Sequence, residues 1–101
     1  MIKPTPEHLT QLRRLSKDLR ALSALVRLRI LATLKEGESS VADLGAELRI
    51  SQPLLSWHLK KLRLAGFVHT RRSGRQVLYS LCPKKFLDLE RELESLLGYS
   101  P

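Results

Sequence analysis

Residues 51–82, SQPLLSWHLKKLRLAGFVHTRRSGRQVLYSLC, change periodicity once, at Gly66, and contain no Asp or Glu. Before the glycine, Leu55, Leu59 and Leu62 recur every three or four residues, the spacing of one buried face of an α-helix. Ser51 stands where it can cap that helix, and Pro53 falls in a first turn whose N–H groups lack intrahelical partners anyway. Gly66 ends it, because a residue without Cβ enters the left-handed conformation at no steric cost. After it, Phe67 to Arg72 and Gln76 to Leu81 are rich in Val, Thr, Tyr and Phe and are joined around Ser73, Gly74 and Arg75, which predicts a two-stranded hairpin over 67–82. Helix and hairpin together carry Lys60, Lys61, Arg63, Arg71, Arg72 and Arg75, so both are able to face one polyanion.

The rest of the chain reads as helices. Residues 1–4 are expected to be a disordered tail, after which Thr5 caps a first helix over 5–22 with Pro6 at its first position and Glu7 in its first turn. Leu9, Leu12, Leu15, Leu19 and Leu22 form a narrow leucine stripe on it, a seam of the kind that meets another helix. Leu25, Leu28, Ile30, Leu31 and Leu34 continue into a second helix that stops at Gly37, with Lys35 near its C-terminal dipole. Ser40 and Asp43 have capping-box spacing and open a short helix over Val41 to Leu48, so residues 41–65 read as a helix-turn-helix with its turn at Arg49 and Ile50. Pro83 starts a last helix, 84–98, in which Phe86, Leu89, Leu93, Leu96 and Leu97 repeat at helical spacing before Gly98. The expected fold is mainly α, a winged helix-turn-helix of about five helices and a two-stranded wing, in a single domain of 101 residues.

The net charge of +8 is unevenly spread: residues 1–35 carry +6, 36–50 carry −3, 51–82 carry +6 and 83–101 carry −1. Two basic blocks around an acidic one give a directional field that attracts phosphates. No apolar run reaches the ~18 residues that span a bilayer and no signal-peptide core opens the chain, so no membrane partner and a cytoplasmic location are expected. A lone cysteine, Cys82, excludes an internal disulfide and a Cys-pair metal site within one chain. His8, His58 and His69 fall on separate elements, and no Gly-rich phosphate loop appears, so an enzyme is not expected.

With Leu55, Leu59 and Leu62 inward, helical geometry turns Gln52, Pro53, Ser56, Trp57 and Lys60 outward. A Gln amide pairs with adenine, Ser serves base or phosphate, and Lys meets guanine edges or the backbone. Trp57 is either an apolar contact to a thymine methyl or sugar edge, or a core residue; His58 is either a structural hydrogen-bonding residue or a base reader. Arg71, Arg72 and Arg75 near the hairpin tip reach phosphates or a minor groove, the alternative being charge protection of an edge strand. The DNA-binding candidates are therefore Gln52, Pro53, Ser56, Trp57, His58, Lys60, Lys61, Arg63, Arg71, Arg72 and Arg75. The basic face of the first helix, Arg13, Arg14, Lys17 and Arg20, reads as a solvated face with some long-range electrostatic help.

The order of elements and the local sequence resemble the ArsR-type winged-helix transcription regulators. The residues that carry the likeness are Leu28-Arg29-Ile30-Leu31, Val41-Ala42-Asp43-Leu44, Ser51-Gln52 with Ser56, His58-Leu59-Lys60-Lys61-Leu62, Ala65-Gly66-Phe67-Val68, and Arg71 through Tyr79. The resemblance implies a homodimer held by its first and last helices, with Leu9, Leu12, Leu15, Leu19, Phe86, Leu89, Leu93, Leu96 and Leu97 as interface candidates. It further implies a pseudo-palindromic double-stranded operator and repression relieved by an inducer. Two departures stand out. Ala24-Leu25-Val26 replaces an Asp-Pro-Thr-type start to the second helix, so a more continuous junction with the first helix is expected. The family's metal-binding Cys-x-Cys element and last-helix Asp and His pairs are missing, since the third-helix region reads Ser39-Ser40-Val41-Ala42-Asp43 and the last helix has Asp88 and glutamates but no histidine. No metal site and no cofactor are therefore expected. Competing readings are a thiol, redox or ligand sensor of the same fold reporting through Cys82, and a winged helix used for protein or RNA contact.

Overall fold

The structure, a computed structural model, describes residues 5–98; the expected tail at 1–4 lies outside the described residues. In chain order the elements are α1 (Pro6–Leu22), α2 (Leu25–Leu34), β1 (Ser39–Ser40), α3 (Val41–Leu48), α4 (Gln52–Leu64), β2 (Val68–Ser73), β3 (Gln76–Leu81) and α5 (Pro83–Leu97). The caps account for most boundaries. The Thr5 hydroxyl accepts from the His8 amide at 3.1 Å and the Ser40 hydroxyl accepts from the Asp43 amide at 3.1 Å. Gly66 stands at φ +88°, where a side chain would be strained, and lets the chain leave α4 directly for β2.

One strand is added to what the sequence predicts and two local expectations are corrected. The wing is the greater part of a three-stranded antiparallel sheet in the order β1-β3-β2, because Ser39 and Ser40 pair with Tyr79 and Leu78 and so cover the free edge of β3. A two-residue strand has no periodicity to read. The α1–α2 junction is a clean break: Ala24 is extended at φ −151°, ψ 132°, and no local side chain caps α2. α1 closes on the Ser23 amide donating to the Arg20 carbonyl at 3.1 Å, and Arg27 Nη1 adds a donor to the Ala21 carbonyl at 3.1 Å. Ser51 occupies the N-cap position of α4, yet its hydroxyl makes no capping bond; the helix starts on the Leu55 amide donating to the Ser51 carbonyl at 2.9 Å.

The core collects one face from almost every element: Leu15 of α1, Ile30, Leu31 and Leu34 of α2, Leu44 and Leu48 of α3, Leu55, Leu59 and Leu62 of α4, Phe67, Val68 of β2, and Leu89 of α5. Phe67 is fully buried and lies 5.0 Å from the Phe86 ring, which ties α5 back onto the end of α4. Gly45 inside α3 is buried with the Ile50 carbonyl 3.1 Å from where a Cβ would stand, so the tight turn between α3 and α4 depends on a missing side chain. Arg49 turns the chain there at φ 57°, ψ 48°, and Arg29 Nη2 donates to the Leu48 carbonyl at 3.1 Å. The radius of gyration is 15.9 Å with a long dimension of 52 Å; a compact chain of this length has about 13 Å. The excess marks an elongated molecule with unusual exposed surface.

Removal of the Ser40 hydroxyl is expected to lower the unfolding free energy by about 1 kcal/mol, the ordinary value of a lost N-cap bond. The same change at Ser51, which has no such bond to lose, is expected to cost at most a few tenths. Urea denaturation of Ser40→Ala and Ser51→Ala reads the difference, and equal losses would contradict the assignment of caps.

Candidate nucleic-acid interface

The leucine stripe rotates α4 so that its polar side faces solvent. Leu55, Leu59 and Leu62 have no exposed surface, while Gln52, Pro53, Ser56, Lys60, Lys61 and Arg63 are all exposed. At roughly 100° per residue, Pro53 and Trp57 lie nearly opposite the stripe, with Lys60 to one side of them and Lys61 to the other, and with Gln52, Ser56 and Arg63 along the Lys60 edge. Trp57 is 51% exposed, which removes the core alternative for it. Its ring has Lys61 Nζ and Arg27 Cζ each 5.4 Å from the centroid, a cation on either account held over an aromatic face.

His58 is the exception among the helix candidates. It is 9% exposed, and its Nδ1 accepts from Arg27 Nε at 3.1 Å, so the imidazole is a buried structural acceptor and faces away from the polar side. Burial, reinforced by the charge of Arg27, pushes its pKa below the ordinary imidazole value of 6.5. One guanidinium thus joins the end of α1, α2 and the inner edge of α4.

The wing is built in register, with Arg71 opposite Leu78, Arg72 opposite Val77 and Ser73 opposite Gln76, leaving Gly74 and Arg75 as a two-residue turn. Gly74 at φ +61° supplies the backbone that such a turn requires. Arg72 and Arg75 are exposed and make no ion pair among the described residues. Arg71 is different: its Nε donates to Glu38 Oε2 at 2.8 Å and its Nη2 to Glu38 Oε1, a two-point contact that fixes the wing to the segment before β1. Those hydrogen bonds lower the Glu38 pKa and raise that of Arg71. The basic stretch contains no acid of its own, but folding brings Glu38 to one of its arginines.

The two leucine seams divide between inside and outside. Leu15 and Leu89 are buried in the core of their own chain, Phe86 packs on Phe67 and Leu93 is half-buried. Leu9, Leu19, Leu96 and Leu97 are exposed, with Leu12 half-buried beside them. A cavity of about 250 Å³ between α1 and α5 is lined by Gln11, Leu12, Leu15, Glu92 and Leu96 among others, and Glu92 Oε2 is buried without a hydrogen-bond partner among the described residues. Cys82 is half-buried at the N-cap position of α5, its amide donating to the Phe67 carbonyl at 2.9 Å. Among the described residues no three His, Cys, Asp or Glu side chains group as metal ligands, and no helix is long and apolar enough to cross a membrane.

Arg27, Arg29 and Glu38 are the site-building residues that sequence reasoning missed. The signal available was two arginines, two apart, on a helix whose own first turn contains no acid to pair with them.

Residues 26–70 match the family model described as bacterial regulatory protein, arsR family. The chain is 51% identical over 63 residues to the HTH-type transcriptional repressor SmtB of Mycobacterium tuberculosis, covering 62% of this chain and 47% of that relative. The chain thus spans about half the length of that protein. It is 42% identical over 78 residues to the biofilm growth-associated repressor of Xylella fastidiosa, covering 77% of this chain and 68% of the relative. Among solved structures, NolR from Sinorhizobium fredii superposes with a TM-score of 0.80 at 30% identity, over 99% of this chain and 100% of that one.

The Arg27–His58 contact carries a pH prediction. A base whose folded pKa lies below its unfolded value contributes stability that is whole above 6.5 and lost as pH falls through the lower folded value, because the unfolded chain then binds the extra proton. Thermal melts are expected to show a falling Tm below about pH 6.5, with a flatter profile in His58→Gln. A variant profile that parallels the wild type would remove His58 as the cause.

Proposed function

This chain belongs to the arsR family of bacterial regulatory proteins, and from that premise we propose that it is a homodimeric repressor that binds duplex DNA through α4 and the wing. The observation that carries the reading is the rotation of α4: Leu55, Leu59 and Leu62 are sealed in the core, and its outward surface includes Gln52, Pro53, Ser56, Trp57, Lys60, Lys61 and Arg63, with no acid on the helix. An α-helix fills the major groove of B-DNA, where a Gln amide matches adenine N6 and N7 and a Lys ammonium meets guanine acceptors or phosphates. Ser56 serves either. Arg72 and Arg75, exposed at the wing and without an ion pair among the described residues, supply phosphate or minor-groove contacts, whereas Arg71 stays on Glu38 and positions the wing. His58 acts from behind, through Arg27, and reads no base. The reading places the protein in the cytoplasm and assigns it no metal or other cofactor.

The homodimer is supported by what a single chain leaves uncovered. Leu9, Leu19, Leu96 and Leu97 are exposed apolar residues of α1 and α5, and a buried Glu92 oxygen on α5 lacks a partner among the described residues. Burying such residues against a second copy removes apolar area from water at about 25 cal/mol per Å². A two-fold dimer then sets two copies of α4 to read an operator of matching symmetry.

Two outcomes are expected. Gln52→Ala relaxes base preference at one position of each half-site and costs roughly 1 to 3 kcal/mol of specific binding, read by titrating single-base operator variants; a preference retained at every position would remove Gln52 as a reader. Leu96→Glu, placed at a site 52% exposed in the single chain, yields a folded monomer in sedimentation and circular dichroism. A dimer of undiminished affinity would put the interface elsewhere.

A further inference from the structure

Between α1, α2 and α4 lies an open cleft of about 480 Å³ whose lining includes Lys17, Arg20, Arg27, Trp57, Lys61 and Leu64. Every charged group that lines it is a cation. The acid next in sequence to Lys17, Asp18, is turned toward α5 and holds Lys85 Nζ at 2.9 Å, so it does not neutralise the cleft. Arg27 is committed inward to His58 and the Ala21 carbonyl, whereas Lys17, Arg20 and Lys61 make no ion pair among the described residues. Three uncompensated cations therefore converge around a half-exposed indole, and they come from two different helices.

The place of the cleft says what those cations meet. A helix with its side chains is about 10 to 12 Å across and the major groove about 12 Å wide, so the two edges of a helix lying in it face the two phosphate strands. On α4 Lys60, Ser56 and Arg63 lie to one side of the outermost line of Pro53 and Trp57; Lys61 lies to the other, and Trp57 and Lys61 line the cleft together with Lys17 and Arg20 of α1. We propose that this cleft grips the DNA backbone along one wall of the major groove, with Lys17 and Arg20 of α1 joining Lys61 as phosphate donors and Trp57 packing against deoxyribose. Trp57 on this account is a wall that holds Lys61 by its ring face and does not read thymine. A helix that otherwise serves the dimer seam then touches DNA as well, which ties the spacing of the two subunits to the phosphates they hold. The inference rests on the reading that α4 occupies the major groove.

The test uses the full chain on duplex DNA and the double variant Lys17→Ala with Arg20→Ala, at exposed positions where alanine keeps the helix. Loss of two phosphate contacts lowers the slope of log affinity against log salt by about 1.8 per bound protomer, so between 50 and 200 mM salt the wild type loses about twelvefold more affinity per protomer than the variant. Base preferences stay as in the wild type. The control double variant, Arg14→Ala with Lys84→Ala, removes the same charge outside the cleft and leaves the slope near the wild-type value. Equal slope changes in both doubles, or none in either, overturn the proposal while leaving DNA binding itself intact. Trp57 is the sole tryptophan of the chain, so its quenching by acrylamide is a second readout that needs no variant. DNA shields it if the cleft is occupied, and unchanged quenching in the bound state overturns the proposal. Absence of salt-sensitive binding by the wild type overturns the major-groove reading and this inference with it.

Discussion

Burial of Leu55, Leu59 and Leu62 against the rest of the core is the constraint on which the interface depends. A fully buried leucine contributes roughly 1.5 to 3 kcal/mol, so the three together outweigh any single hydrogen bond on α4 several-fold. They fix the rotation of the helix about its axis. A turn of one residue, about 100°, would place Ser56 and Lys60 in the core and leucines in water. The polar face that meets a partner is thus set by the apolar face that never does.

Finer positioning falls to arginines that act at a distance. Arg27 supplies a donor to the Ala21 carbonyl near the end of α1 and reaches His58 on the buried edge of α4, and Arg29 supplies one to the Leu48 carbonyl at the end of α3. Helix C-termini leave carbonyls without intrahelical donors, and a guanidinium carries enough donors in a fixed fork to serve two neighbours at once. Arg71 on Glu38 does comparable work at the base of the wing, where the pair is exposed and its value is geometric more than energetic. Positive charge in this chain therefore has two uses. Arg27, Arg29 and Arg71 are bonded to the protein, and Lys17, Arg20, Lys60, Lys61, Arg63, Arg72 and Arg75 are left to the solvent side.

How much of this was legible follows the range of the interactions. Pro6, Ser40, Gly66 and Pro83 mark helix ends through bonds and backbone angles within four residues, and those boundaries are visible in the string. The α4 leucine stripe and the two hairpin strands were visible for the same reason, although Ser73 belongs to β2 and pairs with Gln76, so that the turn is Gly74 and Arg75 alone. The bounds of α1 and α2 were visible too, but not the sharpness of the break between them, where Ala24 is extended and Arg27 of the next helix donates to the Ala21 carbonyl. Strand β1 was invisible because two residues carry no period, and its partner Tyr79 is forty positions away. Of the candidate site, Gln52, Ser56, Trp57 and Lys60 fall on the solvent side as helical geometry implies, while His58 takes the structural hydrogen-bonding role of the two open to it and Arg71 pairs with Glu38, in each case through a residue far away in sequence. The seams show the same division, with Leu15 and Leu89 serving their own core and Leu19 and Leu96 left open.

The most direct test of the account is selection from random duplex DNA by the purified protein at near-physiological salt, with the enriched pool sequenced. A dimer that presents two copies of α4 predicts an enriched inverted repeat whose half-sites lie about 10 base pairs apart or a multiple of that turn. Salt-sensitive binding with no enriched sequence would contradict it, since the outward face of α4 would then hold phosphates without reading bases.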